Sequence, residues 1–134
     1  MWVTKDAKRG DQIRVSRGLY YHHGIYASDD EVYQFASPIG SEISSETAEV
    51  CITTLKQFLN GGVLEVRTYT DSELKTKRTP DEIIEYAKSH LGEKGYNVIT
   101  NNCEHFSNRC VFGKSESSQV EDAIKMLKNM FGVE

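Results

Sequence analysis

No stretch of this chain approaches the roughly 20 consecutive apolar residues that a bilayer crossing requires. Its apolar residues come in short, strand-sized runs, so no transmembrane segment is expected. The opening residues Met1-Trp2-Val3 run straight into Lys5, Asp6, Lys8 and Arg9. The apolar centre of a secretory signal, about 7–15 residues long, is missing. The expected setting is soluble and cytoplasmic, a setting from which the protein can still act at a membrane surface.

Basic residues do not predominate either. Sixteen Lys and Arg face twenty Asp and Glu, for a net charge of -4. A nucleic-acid binder usually carries a basic face, so nucleic acid is not an expected partner. The acidic residues are scattered and form no tail. Cysteine is scarce: Cys51, Cys103 and Cys110 are the three present, an odd number without a disulfide framework. On one helix, Cys103 and Cys110 would stand two turns apart, roughly 10 Å at 1.5 Å per residue. A disulfide needs Cα atoms within about 7 Å, so a reducing compartment is expected. Proline occurs twice, and repeats, low-complexity stretches and internal linkers are lacking. Residues 1–134 are therefore expected to form one domain around one core.

The elements follow from periodicity and punctuation. After Gly10-Asp11, the run Gln12 to Arg17 alternates as a half-buried strand does. Gly18 breaks it. Leu19 to Ala27 and Glu31 to Ala36 form a hairpin around Ser28-Asp29-Asp30. Pro38 to Glu46 is a polar, serine-rich loop suited to a flap beside a site. Val50 to Thr53 reads as a strand. Thr54 with Gln57 starts a short helix that ends at Asn60-Gly61-Gly62. Val63 to Tyr69 alternates again, and Asp71 to Arg78 is charged and exposed. Thr79-Pro80-Asp81-Glu82 is a strong helix start, with Ile83, Ile84, Ala87 and Leu91 as the apolar stripe. A short extended piece covers Tyr96 to Ile99. Cys103 to Phe112 is a helix closed by Gly113. Ser118 opens a last amphipathic helix with Val120, Ile124, Leu127, Met130 and Phe131 on one side. Strands come first and helices second, which predicts an α+β fold: an antiparallel sheet with helices packed on one side.

The chemistry concentrates in Asn101-Asn102-Cys103-Glu104-His105-Phe106 and in Tyr21-His22-His23-Gly24-Ile25-Tyr26. A free cysteine is most often a buried small hydrophobe. Cys103, however, follows an asparagine pair at a helix start, where backbone N–H groups and the positive helix end favour a thiolate. The same N–H groups suit an oxyanion. A histidine on the upstream strand can serve as its base. His22 and His23 are neighbours on a strand and point to opposite faces, so one of them can face Cys103; the pattern does not say which. With a three-residue turn, Gly24 pairs with Gln34, and Gln34 shares the face of His22. A two-residue turn puts Gln34 on the face of His23. Gln34 could accept a hydrogen bond from an imidazole nitrogen and fix its tautomer, as asparagine does in Cys-His-Asn sites. His105 lies about 200° around the helix from Cys103 and reads as structural, bonded to a backbone carbonyl. A zinc site from His22, His23, Cys103 and His105 lacks ligand spacing. No metal or other cofactor is expected.

His22-x-Gly24-Ile25-Tyr26, the run Asn102 to Phe106 with Asn108, then Gly113 and Ser118-Gln119-Val120 resemble the lecithin:retinol acyltransferase-like family. This is the circularly permuted branch of the NlpC-type thiol hydrolase superfamily, in which histidine precedes cysteine. The resemblance runs from Gly10 to Val120. It implies a permuted papain-like architecture and selects His22 over His23, which falls where the family usually carries an aromatic. The third catalytic position, typically a second histidine, is Gln34 here. Members move an acyl chain from a phospholipid to an acceptor, or hydrolyse the phospholipid. The expected function is a thiol-dependent acyltransferase or acyl hydrolase, with Cys103 as nucleophile, His22 as base and Gln34 as orienter. Its expected partner is an acyl donor such as a phospholipid at a membrane surface. The alternatives are a thiol peptidase or amidase of the wider superfamily and a catalytically quiet binding domain.

Overall fold

The computed structural model describes residues 1–37, 47–97, 101–113 and 118–130. The proposed flap, Pro38 to Glu46, and the end of the extended piece at Val98-Ile99 lie outside them. The elements are β1 (Trp2–Val3), β2 (Gln12–Ser16), β3 (Tyr21–Ser28), β4 (Glu31–Ala36), β5 (Glu49–Thr53), α1 (Leu55–Leu59), β6 (Glu65–Arg67), α2 (Asp71–Leu74), α3 (Pro80–Ser89), α4 (Cys103–Phe112) and α5 (Ser118–Met130). The fold is α+β. Its antiparallel sheet has six strands in the order β1-β6-β2-β3-β4-β5.

The hairpin register turns on one residue. Ser28 pairs with Glu31, so the turn itself is the two residues Asp29-Asp30. A bulge at Ala27 then absorbs one position, and Gly24 pairs with Gln34. Two-residue turn geometry and the three-residue register therefore coexist, because a bulge sets two residues against one. Gln34 ends on the face of His22.

Each face of the sheet has its own core. On one, Ile25, Tyr33, Phe35 and Val50 meet Ile83, Ile84 and Ala87 of α3 and Phe106, Cys110 and Val111 of α4. On the other, Ile13, Val15, Val32 and Val66 surround Phe58 of α1. α3 and α4 thus cover one face as expected, and the short α1 fills the other. Burial of a ring such as Phe58 or Phe106 stabilises by about 1.5–3 kcal/mol. Glycine is required at Gly10, with φ +89°: a Cβ there would stand 2.7 Å from Cβ of Pro80. That close approach lets Gly10 donate to the Tyr26 carbonyl at 2.7 Å and seats the start of α3 against the sheet.

Five elements differ from the sequence pattern. The two-residue β1, which pairs with β6, is too short to show alternation. β6 pairs over three residues instead of seven, with Val63 64% exposed. Thr70 and Glu73 form a reciprocal cap that turns the charged segment into the short α2. Leu91, counted in the α3 stripe, lies past the helix end and is exposed. α5 forms, but Ile124, Leu127 and Met130 are exposed rather than in either core; Phe131 lies outside the described residues.

Candidate active site

The start of α4 is built by Asn102. Its side chain accepts from the N–H groups of Glu104 and His105 at 3.0 and 3.1 Å. In return, Asn102 N–H donates to Nδ1 of His105 at 2.9 Å. Histidine here takes the place that Glu or Gln holds in the usual capping box. His105 is structural as expected, but it accepts a backbone N–H rather than donating to a carbonyl. Its pKa is lowered, first by burial, which suits a ring nitrogen that must stay unprotonated to accept. Asn102→Ala is expected to cost about 1–2 kcal/mol in urea unfolding. Asn102→Asp, which keeps the acceptor, is expected to retain most of that stability.

The cap leaves Cys103 as the first helical residue, 3% exposed. α4 lies across β3 and β4. The Cys103 thiol points at the carbonyl of Tyr21, 3.9 Å away, the residue that directly precedes His22 on β3. His22 is buried, with its ring against that of Phe58 at 4.8 Å between centroids. Gly24 makes room for this packing, since a Cβ there would fall 2.7 Å from the Phe58 ring. Nε2 of His22 meets Oε1 of Gln34 at 2.9 Å. The structure thus brings His22 and Gln34 into contact and sets Cys103 beside the strand residue next to His22.

His23 goes the other way. Its ring lies edge-on to Trp2, with 5.4 Å between centroids, and its Nε2 is 3.9 Å from Oε2 of Glu104. Among the described residues, neither ring nitrogen has a hydrogen-bond partner. Burial, the largest cause, lowers its pKa to about 4, against the pull of Glu104; His22, Arg14 and Arg67 add to the fall. His23 is therefore neutral at pH 7.

A polar network that the sequence motifs do not reveal stands behind α4. The Gln12 amide donates to Ser107 Oγ at 2.9 Å and to Asn108 Oδ1 at 2.8 Å. Arg67 donates to Gln12 Oε1 and Asn108 Oδ1 at 3.1 and 2.9 Å, and Tyr69 O–H donates to Gln12 Oε1 at 3.2 Å. These bonds tie the middle of α4 to β2 and β6. No sequence signal marks this network: in the alternating run Gln12 falls on the polar face, opposite Ile13 and Val15, and that face is buried by α4. The structure also gives Cys51 a neighbour that no motif marks: its sulfur is 3.7 Å from Nε2 of Gln34, across the β4–β5 pair.

Comparison with known proteins agrees with the motifs. A family model described as Lecithin retinol acyltransferase matches residues 5–116. The chain is 33% identical over 129 residues to human Phospholipase A and acyltransferase 4, covering 89% of this chain and 78% of that protein. It is 30% identical over 131 residues to mouse Phospholipase A and acyltransferase 3, covering 90% and 80%. It is also 27% identical over 142 residues to rat Lecithin retinol acyltransferase, covering 89% and 62%, so it spans less than two thirds of that relative. On the strength of a match over most of its length, the chain belongs to the lecithin retinol acyltransferase family.

Proposed function

We propose that the protein is a thiol-dependent acyltransferase or acyl hydrolase that takes its acyl group from a phospholipid. One observation carries the reading: the capped start of α4 holds the Cys103 thiol 3.9 Å from the Tyr21 carbonyl, next to a His22 bonded to Gln34. The names of the relatives, phospholipase A and acyltransferase among them, support the substrate class.

In this mechanism His22 takes the Cys103 proton, and the thiolate attacks the ester carbonyl. A sulfur–carbon bond forms as the carbonyl π pair moves to oxygen. The oxyanion is met at the helix start by the Cys103 N–H; the next two N–H groups are held by Asn102. Collapse breaks the ester carbon–oxygen bond, and His22 returns its proton to the departing lysophospholipid. Water, an alcohol or an amine then attacks the thioester with His22 as base. Gln34 keeps the imidazole oriented, as a neutral orienter can. A lipid surface suits Leu19, which is wholly exposed in the turn that leads into β3.

Incubation with phosphatidylcholine vesicles, with and without an added amine or alcohol, tests the proposal. Lysophospholipid is expected to appear, together with free fatty acid or acylated acceptor. Turnover of peptide amides with none of phospholipid would instead support the peptidase reading. No turnover of either would support the binding domain.

A further inference from the structure

We propose that Cys51 is a positioning residue: it fixes which end of the Gln34 amide faces His22, and thereby fixes the His22 tautomer. The inference rests on the reading of His22 as the general base.

The need for such a residue comes from the glutamine. A carboxamide carries an acceptor at one end and two donors at the other, in nearly the same shape. With Oε1 toward His22, Nε2 of the imidazole must carry the proton and donate it. The remaining nitrogen, Nδ1, then holds the lone pair and can accept a proton from Cys103. With the amide turned over, its NH₂ faces the imidazole. Nε2 then accepts, the ring proton moves to Nδ1, and the base is blocked. The 2.9 Å contact between Nε2 and Oε1 is the competent arrangement, but nothing in the His22–Gln34 pair alone enforces it.

Cys51 breaks the symmetry. It sits directly opposite Gln34 in the β4–β5 ladder. Its S–H points to the Ala36 carbonyl at 3.8 Å, so the sulfur presents its lone pairs to the Gln34 NH₂ at 3.7 Å. A directed chain results: Cys51 donates to Ala36, Gln34 donates to Cys51, and His22 donates to Gln34. Turning the amide would place Oε1 against the sulfur lone pairs unless the S–H left Ala36. Burial raises the pKa of Cys51, which keeps its proton, and so the direction of the chain, in place at neutral pH. Sulfur is a weak acceptor, yet a preference near 1 kcal/mol is enough to hold one orientation about five to one.

The test reads the tautomer directly. Long-range ¹H–¹⁵N correlation spectra of the imidazole rings are recorded for wild type and for Cys51→Val, Cys51→Ala and Cys51→Ser. Wild type is expected to show His22 protonated at Nε2. The valine and alanine variants, one bulkier and one smaller, are expected to show a mixture of tautomers, with kcat reduced about twofold as the competent share falls from about five in six to about one in two. Serine, which can donate to Ala36 and accept from Gln34, is expected to restore the wild-type pattern. In a Gln34→Glu background both oxygens accept, and the effect of Cys51→Val on the tautomer is expected to vanish. An unchanged His22 tautomer in the valine and alanine variants would overturn the inference, even if Cys103→Ala is inactive and the proposed chemistry stands. Activity retained by Cys103→Ala would instead sink the proposed chemistry, while the spectra would still report on Cys51.

Discussion

Cys103→Ala is expected to lower phospholipid turnover by a factor on the order of 10⁴ or more, the scale on which removal of a nucleophile acts. The protein should stay folded. Cys103 fills a small space at the edge of the core, 3% exposed, and alanine gives up one sulfur there. The cap does not depend on the thiol, since Asn102 holds the N–H groups of Glu104 and His105 through its own side chain. A circular dichroism spectrum and urea midpoint close to wild type, beside lost turnover, would assign the effect to chemistry. Cys110 provides the internal control: burial, the main cause, drives its pKa far up. It should stay inert to iodoacetamide in the folded protein, so labelling lost in Cys103→Ala reports on Cys103 alone.

Acid should unfold the protein through His23. An isolated histidine titrates near 6.5, and burial lowers His23 to about 4 in the folded state. Between those two values the unfolded chain binds a proton that the folded chain refuses. Stability from His23 is therefore fully present above pH 6.5 and is lost as pH falls through 6.5 toward 4. At roughly 1.4 kcal/mol per pH unit, the loss by the lower end is on the order of 3 kcal/mol. His23→Phe fills similar space beside Trp2 and cannot titrate. Thermal melts from pH 7.5 to 4 should show the Tm of wild type falling more steeply than that of the variant. Parallel curves would show that His23 does not dominate the acid response. Glu104, which directly follows Cys103, stands 3.9 Å from His23, where α4 packs against β3.

Local chemistry made much of this legible in the sequence. Thr79, Pro80 and Glu82 announced α3, and the structure forms that cap in full. Asn102 and Gly113 bracketed α4, with Gly113 in the left-handed region that ends helices. The motif around Cys103 was clear because its spacing is specific. Properties set by tertiary pairing were not legible. The face of Gln34 depended on a bulge at Ala27, which no residue pattern announces. β1 exists because β6 offers it an edge. Gln12 looked like an ordinary strand polar until Ser107 and Asn108, some 95 residues away, supplied its partners. Cys51 gained a part only once β5 lay beside β4.

The proposed chemistry turns on a Cys103 acyl-enzyme, which intact-protein mass spectrometry detects. Wild type and Cys103→Ala are exposed briefly to phosphatidylcholine vesicles, an acyl-CoA thioester and an activated ester, then quenched in acid. An added acyl mass is expected on wild type alone, removed by hydroxylamine as a thioester is. Turnover of phospholipid by Cys103→Ala, or an acyl adduct that persists in that variant, would contradict that chemistry.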